Sequence, residues 1–437
     1  MLKMYDSSTI NLKNNNCMTF HMYDFFLYFF MVLVMFIPTT YSYLRLIVLF
    51  CLFITSLIEY KRGKLLKIDK TGGIIFFTLL LYDLFCCLVG FLNGFSEGAL
   101  RTLTVSFVWP VMYFCIFNLL NTEQSLIRLV KLMIFMEIIV AIFDIWYCIS
   151  MLGFVSFPSI LSSLDLDMHF GHYGSFIDYT TKHMCTLIFM VPFLAGLLTF
   201  ETKPYLGSKH YIWLAYLLGI ICAIFSGRAA FQVITALSIF YMLLIKYKLI
   251  FTSRKKKILL FFSLAIILMM VLVILQTIIN KLDLDIWLIV DFVEGKFVNA
   301  LTGSNNNLLY QQFFPLMNGW LDSPLFGNGA GAFLTEITRS DTMNWSYELG
   351  YCALLFQKGI IGFILFFALN IYTVKKLQKK MHQHILDRGI GTALILGLIA
   401  VLLSNTIDPY LGKMGCLWME YLPFVIALNV NYNVKQY

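Results

Sequence analysis

Apolar runs of membrane-spanning length recur along almost the whole chain, and they constrain the fold more than any other feature. A helix needs about 20 apolar residues to cross the roughly 30 Å of hydrocarbon in a bilayer. The runs lack the alternation of apolar and polar residues that a transmembrane β-barrel requires. Only 13% of the residues are charged, whereas soluble domains carry about 25%. The sequence therefore predicts an all-α, polytopic integral membrane protein with a single membrane-embedded domain over residues 1–437.

We expect about twelve transmembrane helices and one long polar loop. The predicted spans cover residues 23–37, 43–58, 73–92, 102–119, 131–152, 184–200, 211–226, 230–246, 258–278, 347–374, 389–405 and 414–430. Two polar stretches separate them, a shorter one at residues 153–183 and a large one at residues 279–346.

Basic residues predict the orientation of these spans. The clusters KRGK (61–64) with Lys67 and Lys70, RKKK (254–257) and KKLQKK (375–380) all fall on one side when the spans alternate in direction. Because cytoplasmic loops carry an excess of Lys and Arg, that side is predicted to be the cytoplasm. Both termini are then cytoplasmic, and both polar stretches are periplasmic loops. The net charge of +8 has the same explanation, and we expect no nucleic-acid partner.

Two arginines on the predicted outer side are candidates for binding an anion. Arg228 lies in the sequence FSGRAA, a break between two apolar runs, and Arg101 enters the fourth span from the same side. A guanidinium group binds phosphate through two parallel hydrogen bonds. Two such groups at one depth could together hold a pyrophosphate. The alternative for Arg228 is an interfacial side chain that reaches the lipid headgroups.

Glu348 and Lys358 mark an unusual tenth span. Glu348 opens the span at its outer end, where the helix dipole favours a carboxylate, so a structural role and a role in proton transfer are both open. Lys358 lies about 15 Å further along a continuous helix, which is deep for an unpaired Lys. Either residues 345–357 form an interfacial or re-entrant helix and the span starts at Gly359, or Lys358 pairs inside the bundle. The first alternative costs less.

The shorter outer loop carries further titratable side chains. His172 and Asp178 are candidate general bases there, although a solvated loop residue is the default interpretation. His169 and His172 have the spacing of two metal ligands, but no third ligand follows, so we expect neither a metal nor a cofactor. Within the fifth span, Glu137 and Asp144 share a helix face, where they either bond neighbouring helices or line a polar cavity.

The glycine-rich run GNGAG (327–331) superficially resembles a phosphate-binding loop. It follows no strand and lacks the Lys-Ser/Thr ending of a P-loop, so a nucleotide site is disfavoured. A turn with exposed N–H groups at Gly327 and Gly329 could still bind an anion. A plain turn is the simpler interpretation.

The order of these features resembles the O-antigen polymerase and ligase superfamily, which includes the Wzy-type polymerases. Three stretches carry the resemblance: SGRAA (226–230), DSPLFGNGAGAF (322–333) within a longer segment that starts at Trp320, and the helix ELGYCALLFQKGIIG (348–362). The second is the most specific. Many members place His-Asn shortly before the late helix, whereas this chain has NWSYE (344–348). The absence of that His favours the polymerase branch over the ligases.

The resemblance implies a metal-independent glycosyltransferase on the periplasmic face of the inner membrane of a Gram-negative bacterium. The donor would be a glycan on undecaprenyl pyrophosphate, the acceptor a repeat unit on the same lipid, and a chain-length regulator protein a further partner. Arg228 and Arg101 would bind the leaving pyrophosphate, and Glu348 would accept the proton, with His172 or Asp178 in reserve. Phosphate or sugar contacts are expected from Arg339, Trp320 and Tyr347.

Two other functions compete with the polymerase. An O-antigen ligase would transfer finished polysaccharide to the lipid A core. A lipid-linked oligosaccharide flippase or other transporter would suit twelve spans, but transporters often contain a repeated half. The two halves of this chain show no symmetry in sequence or charge.

Overall fold

The computed structural model describes residues 22–62, 68–120, 122–151, 153–158, 168–173, 176–200, 206–250, 308–337 and 343–429. These residues are mainly helical. The helices are α1 (Met22–Phe36), α2 (Ser42–Lys61), α3 (Lys70–Leu92), α4 (Ser96–Leu103), α5 (Trp109–Asn118), α6 (Glu123–Met151), α7 (Met184–Thr199), α8 (Lys209–Phe225), α9 (Ala229–Ile250), α10 (Leu308–Leu321), α11 (Gly350–His382), α12 (Arg388–Ser404) and α13 (Trp418–Leu428). A π-helical turn, Thr104–Val108, joins α4 to α5, and short 3-10 turns at Tyr410–Gly412 and Met414–Cys416 precede α13.

The helices follow the predicted spans closely. Every predicted span overlaps a helix except residues 258–278, which lie outside the described residues. Within the described part of the chain, four helical segments are long and apolar enough to cross a membrane, namely Ser42–Lys61, Lys70–Leu92, Ser96–Asn118 and Gly350–His382. The described residues also include shorter apolar helices of 10–17 residues, such as Met22–Phe36 and Met184–Thr199. The described residues therefore form a mainly helical protein with four candidate membrane-spanning segments.

The all-α prediction needs one correction, because the shorter polar stretch contains an antiparallel hairpin. Strand β1 (His169–Tyr173) pairs with strand β2 (Phe176–Thr180), with His169 opposite Thr180 and Tyr173 opposite Phe176. Aromatic and β-branched residues on both sides of the sequence Gly-Ser are typical of a hairpin. The apolar periodicity of the flanking spans hid this local signal.

Helix α7 forms the centre of the bundle. All of its residues are buried, as expected for a helix that is apolar on every side. At Gly196 an added Cβ would lie 2.5 Å from the Cα of Ala393, so α7 and α12 approach closely at these small residues. Such close backbone approach is a common way for helices to pack within a membrane.

Helices α2 and α3 instead present large apolar side chains on the outside. Tyr43 is 83% exposed, Leu81 65% and Leu92 86%. Exposed apolar surface of this extent is unusual on a soluble monomer. It fits helices whose outer faces contact lipid.

The described parts of two predicted cytoplasmic basic clusters lie at one end of the bundle. Asp69 caps α3 by accepting a hydrogen bond from the Gly72 N–H, and its Oδ1 lies 2.7 Å from Lys376 Nζ on α11. Although burial acts to raise it, hydrogen bonds from Lys376 and Tyr372 lower the pKa of Asp69 to about 2. The segments around Lys70 and Lys376 therefore share a side, as the charge pattern predicts.

Candidate functional site

Helix α11 is broken near its start, and this break shapes the site. Gly359 has φ 61° and ψ −172°, a conformation that is essentially restricted to glycine. A continuous helix would join the N–H groups of Ile360 and Ile361 to the carbonyl groups of Phe356 and Gln357. The break separates these four groups, and unsatisfied backbone groups at membrane depth cost several kcal/mol each.

The loop at residues 324–329 satisfies all four groups. Ile360 and Ile361 donate to the carbonyl oxygens of Pro324 and Leu325, at 2.9 and 3.3 Å. In return, the N–H groups of Asn328 and Gly329 donate to Phe356 and Gln357 at 2.9 and 3.0 Å. The loop thus replaces one turn of helical hydrogen bonding, and the most specific stretch of the family resemblance has a structural role here.

The predicted anion turn in this loop has its donors occupied. The Gly327 N–H donates to Ser323 at 2.9 Å and the Gly329 N–H donates to Gln357, while the Trp320 indole donates to Pro324 at 3.0 Å. Gly327 and Gly329 have φ of 73° and 99°, which favours glycine. This geometry supports the plain turn. Gly327 and Gly329 in the packed loop, and Trp320 in the last turn of α10, lie outside the lining of the cavity described below.

Lys358, just before the break, is paired inside the bundle. Its Nζ lies 2.5 Å from Asp83 Oδ1 on α3 and 3.1 Å from Ser106 Oγ in the π-helical turn. Its carbonyl oxygen accepts a hydrogen bond from Tyr82 at 2.7 Å. The two alternatives from the sequence are therefore both realised in part. The helix breaks at Gly359, and Lys358 also has an acidic partner.

A cavity of about 900 Å³ opens beside this pair. Its lining comes from α2, α3, the α4–α5 segment, the first half of α11, the 3-10 turns before α13, the start of α13, the hairpin and the 343–347 segment. The charged side chains on its lining are Arg45, Arg101, Lys182, Arg228, Lys358 and Lys413, together with two carboxylates, Asp83 and Glu420. Cations therefore outnumber carboxylates at the cavity, and such a surface attracts anions.

The cations differ in how far the described residues already neutralise them. Arg228 is 2.9 Å from Asp408, and Arg45 donates to the backbone carbonyls of Thr40 and Pro38. Arg101 lies over the Trp109 ring, 5.0 Å from its centroid, and Lys413 lies 5.4 Å from the Tyr410 centroid. Within the described residues, Arg101 and Lys413 have no acidic partner. These two cations are available to a bound anion.

The hairpin and a buried network position Arg228. The Gly227 N–H donates to Tyr179 at 2.8 Å, and the Arg228 N–H donates to Ser226 Oγ at 3.0 Å. The Tyr179 hydroxyl in turn donates to Asp144 at 3.3 Å, and Asp144 Oδ1 lies 2.5 Å from His183 Nε2. Asp144 therefore connects α6 to the end of the hairpin by hydrogen bonds. Of its two interpretations from the sequence, this supports bonding between neighbouring elements, since Asp144 does not line the cavity.

Glu137, on the same face of α6, behaves differently. Its side chain is fully buried, and neither carboxylate oxygen has a hydrogen-bond partner among the described residues. One oxygen lies 2.9 Å from where a Cβ on Gly219 would be. Glu137 thus faces α8, away from the set of residues that lines the cavity.

The structure brings together only some of the predicted site residues. Arg101, Arg228 and Tyr347 line the same cavity. Burial raises the pKa of Tyr347, whose hydroxyl accepts a hydrogen bond from the Leu334 N–H at 2.8 Å. Glu348 precedes α11 by two residues, and its N–H donates to Gln312 at 2.8 Å; it is outside the cavity lining.

For the remaining predicted site residues, the structure describes the backbone alone or the residue lies outside the described ranges. His172 lies on β1 opposite Ile177, and Asp178 lies on β2 opposite Gly171; only their backbone is described. Arg339 lies outside the described residues.

Sequence reasoning missed three charged residues of the cavity. Arg45 and Glu420 lie within predicted spans, and Lys413 directly precedes one. An ionisable residue inside a membrane span is by default a candidate for a functional site. Applied to every span, that rule would have found Arg45 and Glu420.

Comparison with protein-family models, with curated proteins and with solved structures finds no match to this chain. Among the described residues, no group of three His, Cys, Asp or Glu side chains is arranged to hold a metal ion. The cavity and its charges are therefore the features of the described residues that bear on function.

Proposed function

We propose that this protein is an O-antigen polymerase, a glycosyltransferase that joins undecaprenyl-pyrophosphate-linked repeat units on the periplasmic face of the inner membrane. The observation that carries the proposal is the cationic cavity between apolar helices. A lipid pyrophosphate combines an apolar chain with a strongly anionic headgroup, and this cavity offers surfaces for both.

The reaction requires stabilisation of a leaving pyrophosphate. The acceptor hydroxyl attacks the anomeric carbon of the donor glycan, and the bond to the pyrophosphate oxygen breaks with its electron pair on that oxygen. Preorganised cations stabilise such developing charge best in a site that excludes water. Arg101, Lys413 and Arg228 are the groups for this role, since the first two lack an acidic partner among the described residues.

The same cavity has surfaces suited to sugars. Trp345, Tyr347 and Tyr351 contribute aromatic side chains to its lining, and aromatic faces combine apolar contact with a polar edge. A cavity of about 900 Å³ lies at the upper end of the usual range for ligand sites, roughly 300–1,000 Å³. It therefore has room for a headgroup and its first sugars.

The proposed topology has twelve spans, both termini in the cytoplasm and two periplasmic loops at residues 153–183 and 279–346. Residues from both loops line the cavity, including His169, Lys182 and Trp345. Arg101 and Arg228, which the charge pattern also assigns to the outer side, line it as well. This convergence supports a site that opens to the periplasm.

The test is a lipopolysaccharide gel of a deletion strain and of the same strain complemented with the wild-type gene. We expect the deletion strain to make core bearing one repeat unit and complementation to restore the ladder. Core without any repeat unit, with long glycan left on the carrier lipid, would identify a ligase instead. Core without repeat units and short lipid-linked units trapped inside would identify a flippase, and an unchanged ladder would refute all three.

A further inference from the structure

The carboxylates of the cavity suggest which residue accepts the proton in this reaction. The inference rests on the proposed function, because glycosyl transfer to a hydroxyl must remove one proton. Among the described residues that line the cavity, Asp83 and Glu420 are the carboxylates. Their surroundings differ in a way that separates their roles.

Asp83 is committed to an ion pair. Its Oδ1 lies 2.5 Å from Lys358 Nζ, and both side chains are nearly buried. Protonation of this carboxylate would leave the Lys358 charge uncompensated in a site with little water. Asp83 therefore suits the task of holding Lys358 at the break in α11.

Glu420 has a neutral partner instead. On the first turn of α13, its Oε1 accepts a hydrogen bond from Asn370 Nδ2 at 2.9 Å, and Asn370 is itself fixed by donating to the Phe366 carbonyl at 3.0 Å. The second oxygen, Oε2, receives no hydrogen bond from the described residues and is not enclosed. Because the residue is only 3% exposed and lines the cavity, Oε2 is the oxygen left to a ligand.

We propose that Glu420 is the general base, which takes the proton from the hydroxyl of the acceptor sugar. The hydroxyl oxygen bonds to the anomeric carbon as the carbon–pyrophosphate bond breaks, and the hydroxyl proton moves to Glu420 Oε2. The pyrophosphate leaves with the bonding electrons and is held by the cavity cations. Asn370 is a positioning residue, since it touches the carboxylate and not the reacting atoms.

The experiment uses the purified full-length protein in detergent and the lipid-linked repeat unit extracted from the deletion strain. Chain extension gives kcat and KM over a range of pH. Since a general base contributes about 10²–10⁴-fold, we expect Glu420→Gln to lower kcat at least about 100-fold. KM should change little, because Gln keeps the size and the hydrogen bond to Asn370. The matched control is Glu97→Gln, which changes an exposed carboxylate outside the cavity lining.

The pH profile separates a base from a merely structural residue. The wild-type kcat should fall at low pH as the base is protonated, and Glu420→Gln should lose this limb. Asn370→Ala, which removes one donor, should move the limb to higher pH; an unmoved limb would count against the assignment even if Glu420→Gln failed to fold.

Two outcomes distinguish the inference from the proposed function. If Glu420→Gln keeps more than half of the wild-type kcat, or if His169→Gln abolishes the low-pH limb while Glu420→Gln keeps it, Glu420 is not the base although the polymerase stands. If the wild-type protein extends no chain, the proposed function fails and the base assignment fails with it.

Discussion

The break in α11 and the cavity beside it differ in whether their polar groups are paired. At the break, the backbone groups freed by Gly359 are all paired with residues 324–329. At the cavity, Arg101 and Lys413 face the open space with no acidic partner in the described part of the chain. Backbone groups that are all hydrogen-bonded hold the break in one shape, whereas cations without a counter-charge can bind an anion. The glycine-rich motif thus shapes the site, and cations from separate parts of the chain make it able to bind anions.

The Lys358–Asp83 pair connects the two regions. Lys358 immediately precedes the break, and its side chain and that of Asp83 both line the cavity. The charges are neutralised by each other, unlike those of Arg101 and Lys413. The pair should therefore respond to mutation as part of the scaffold.

The largest effect is expected from Gly359→Ala. The added Cβ would lie 2.3 Å from the Leu325 carbonyl oxygen, and the φ,ψ angles disfavour any residue with a Cβ. Backbone strain and overlap each cost about 1–3 kcal/mol, and overlap with a backbone atom costs more, so together they should lower the unfolding free energy by about 6 kcal/mol. Thermal unfolding in detergent measures this. Gly94→Ala is the control, because Gly94 has φ 85° but no atom near its Cβ position, and it should cost about 1 kcal/mol. Equal losses for the two variants would contradict the tight packing of loop and break.

An intermediate effect is expected from Asp83→Asn. This change leaves the buried Lys358 ammonium without its counter-charge. Removing one partner of a buried ion pair typically costs about 3–5 kcal/mol of stability. The double variant Asp83→Asn with Lys358→Met removes both charges and should recover much of the loss. Chemical denaturation of the single and double variants gives the coupling free energy. Additive losses would show that the two side chains do not depend on each other.

The smallest effect on stability, with a clear effect on binding, is expected from Arg101→Gln. Arg101 is exposed to the cavity and stacks on Trp109, so stability should change by less than about 1 kcal/mol. Loss of a charged hydrogen bond to phosphate, worth about 1.5–3 kcal/mol, should weaken binding roughly 10- to 100-fold.

Titration with undecaprenyl pyrophosphate in detergent at fixed salt measures this affinity. Arg62→Gln is the matched control, because Arg62 is an exposed arginine paired with Glu59 at the other end of α2 from the cavity. Equal affinity for wild type and Arg101→Gln would remove Arg101 from the anion site.

The helices could be predicted well from the sequence, because the length of each apolar run is set locally by the thickness of the bilayer. The sequence also placed Arg101 and Arg228 together, since charge at membrane depth is costly wherever it occurs. The role of the GNGAG run could not be predicted in this way. Its glycines fit against the backbone of α3 and of the broken helix, as when Gly327 meets Gly359, and such pairings are properties of the folded chain.

The acidic residues illustrate the same limit. Glu348 begins a predicted span at the outer side, whereas Glu420 lies inside the last one, and only the packing of α11 against α13 through Asn370 turns Glu420 towards the cavity. The hairpin was missed for the opposite reason. Its signal is local but short, and the apolar periodicity around it dominated the interpretation.

The break in α11 also bears on how the chain is made. Every group that satisfies the break, from Tyr82 to residues 324–329, precedes α11 in the sequence. During synthesis these partners therefore leave the ribosome before the helix that needs them. The newly inserted α11 can adopt its broken form at once, without waiting for α12 and α13, and the segment from Pro409 to Tyr421 completes the lining of the cavity later.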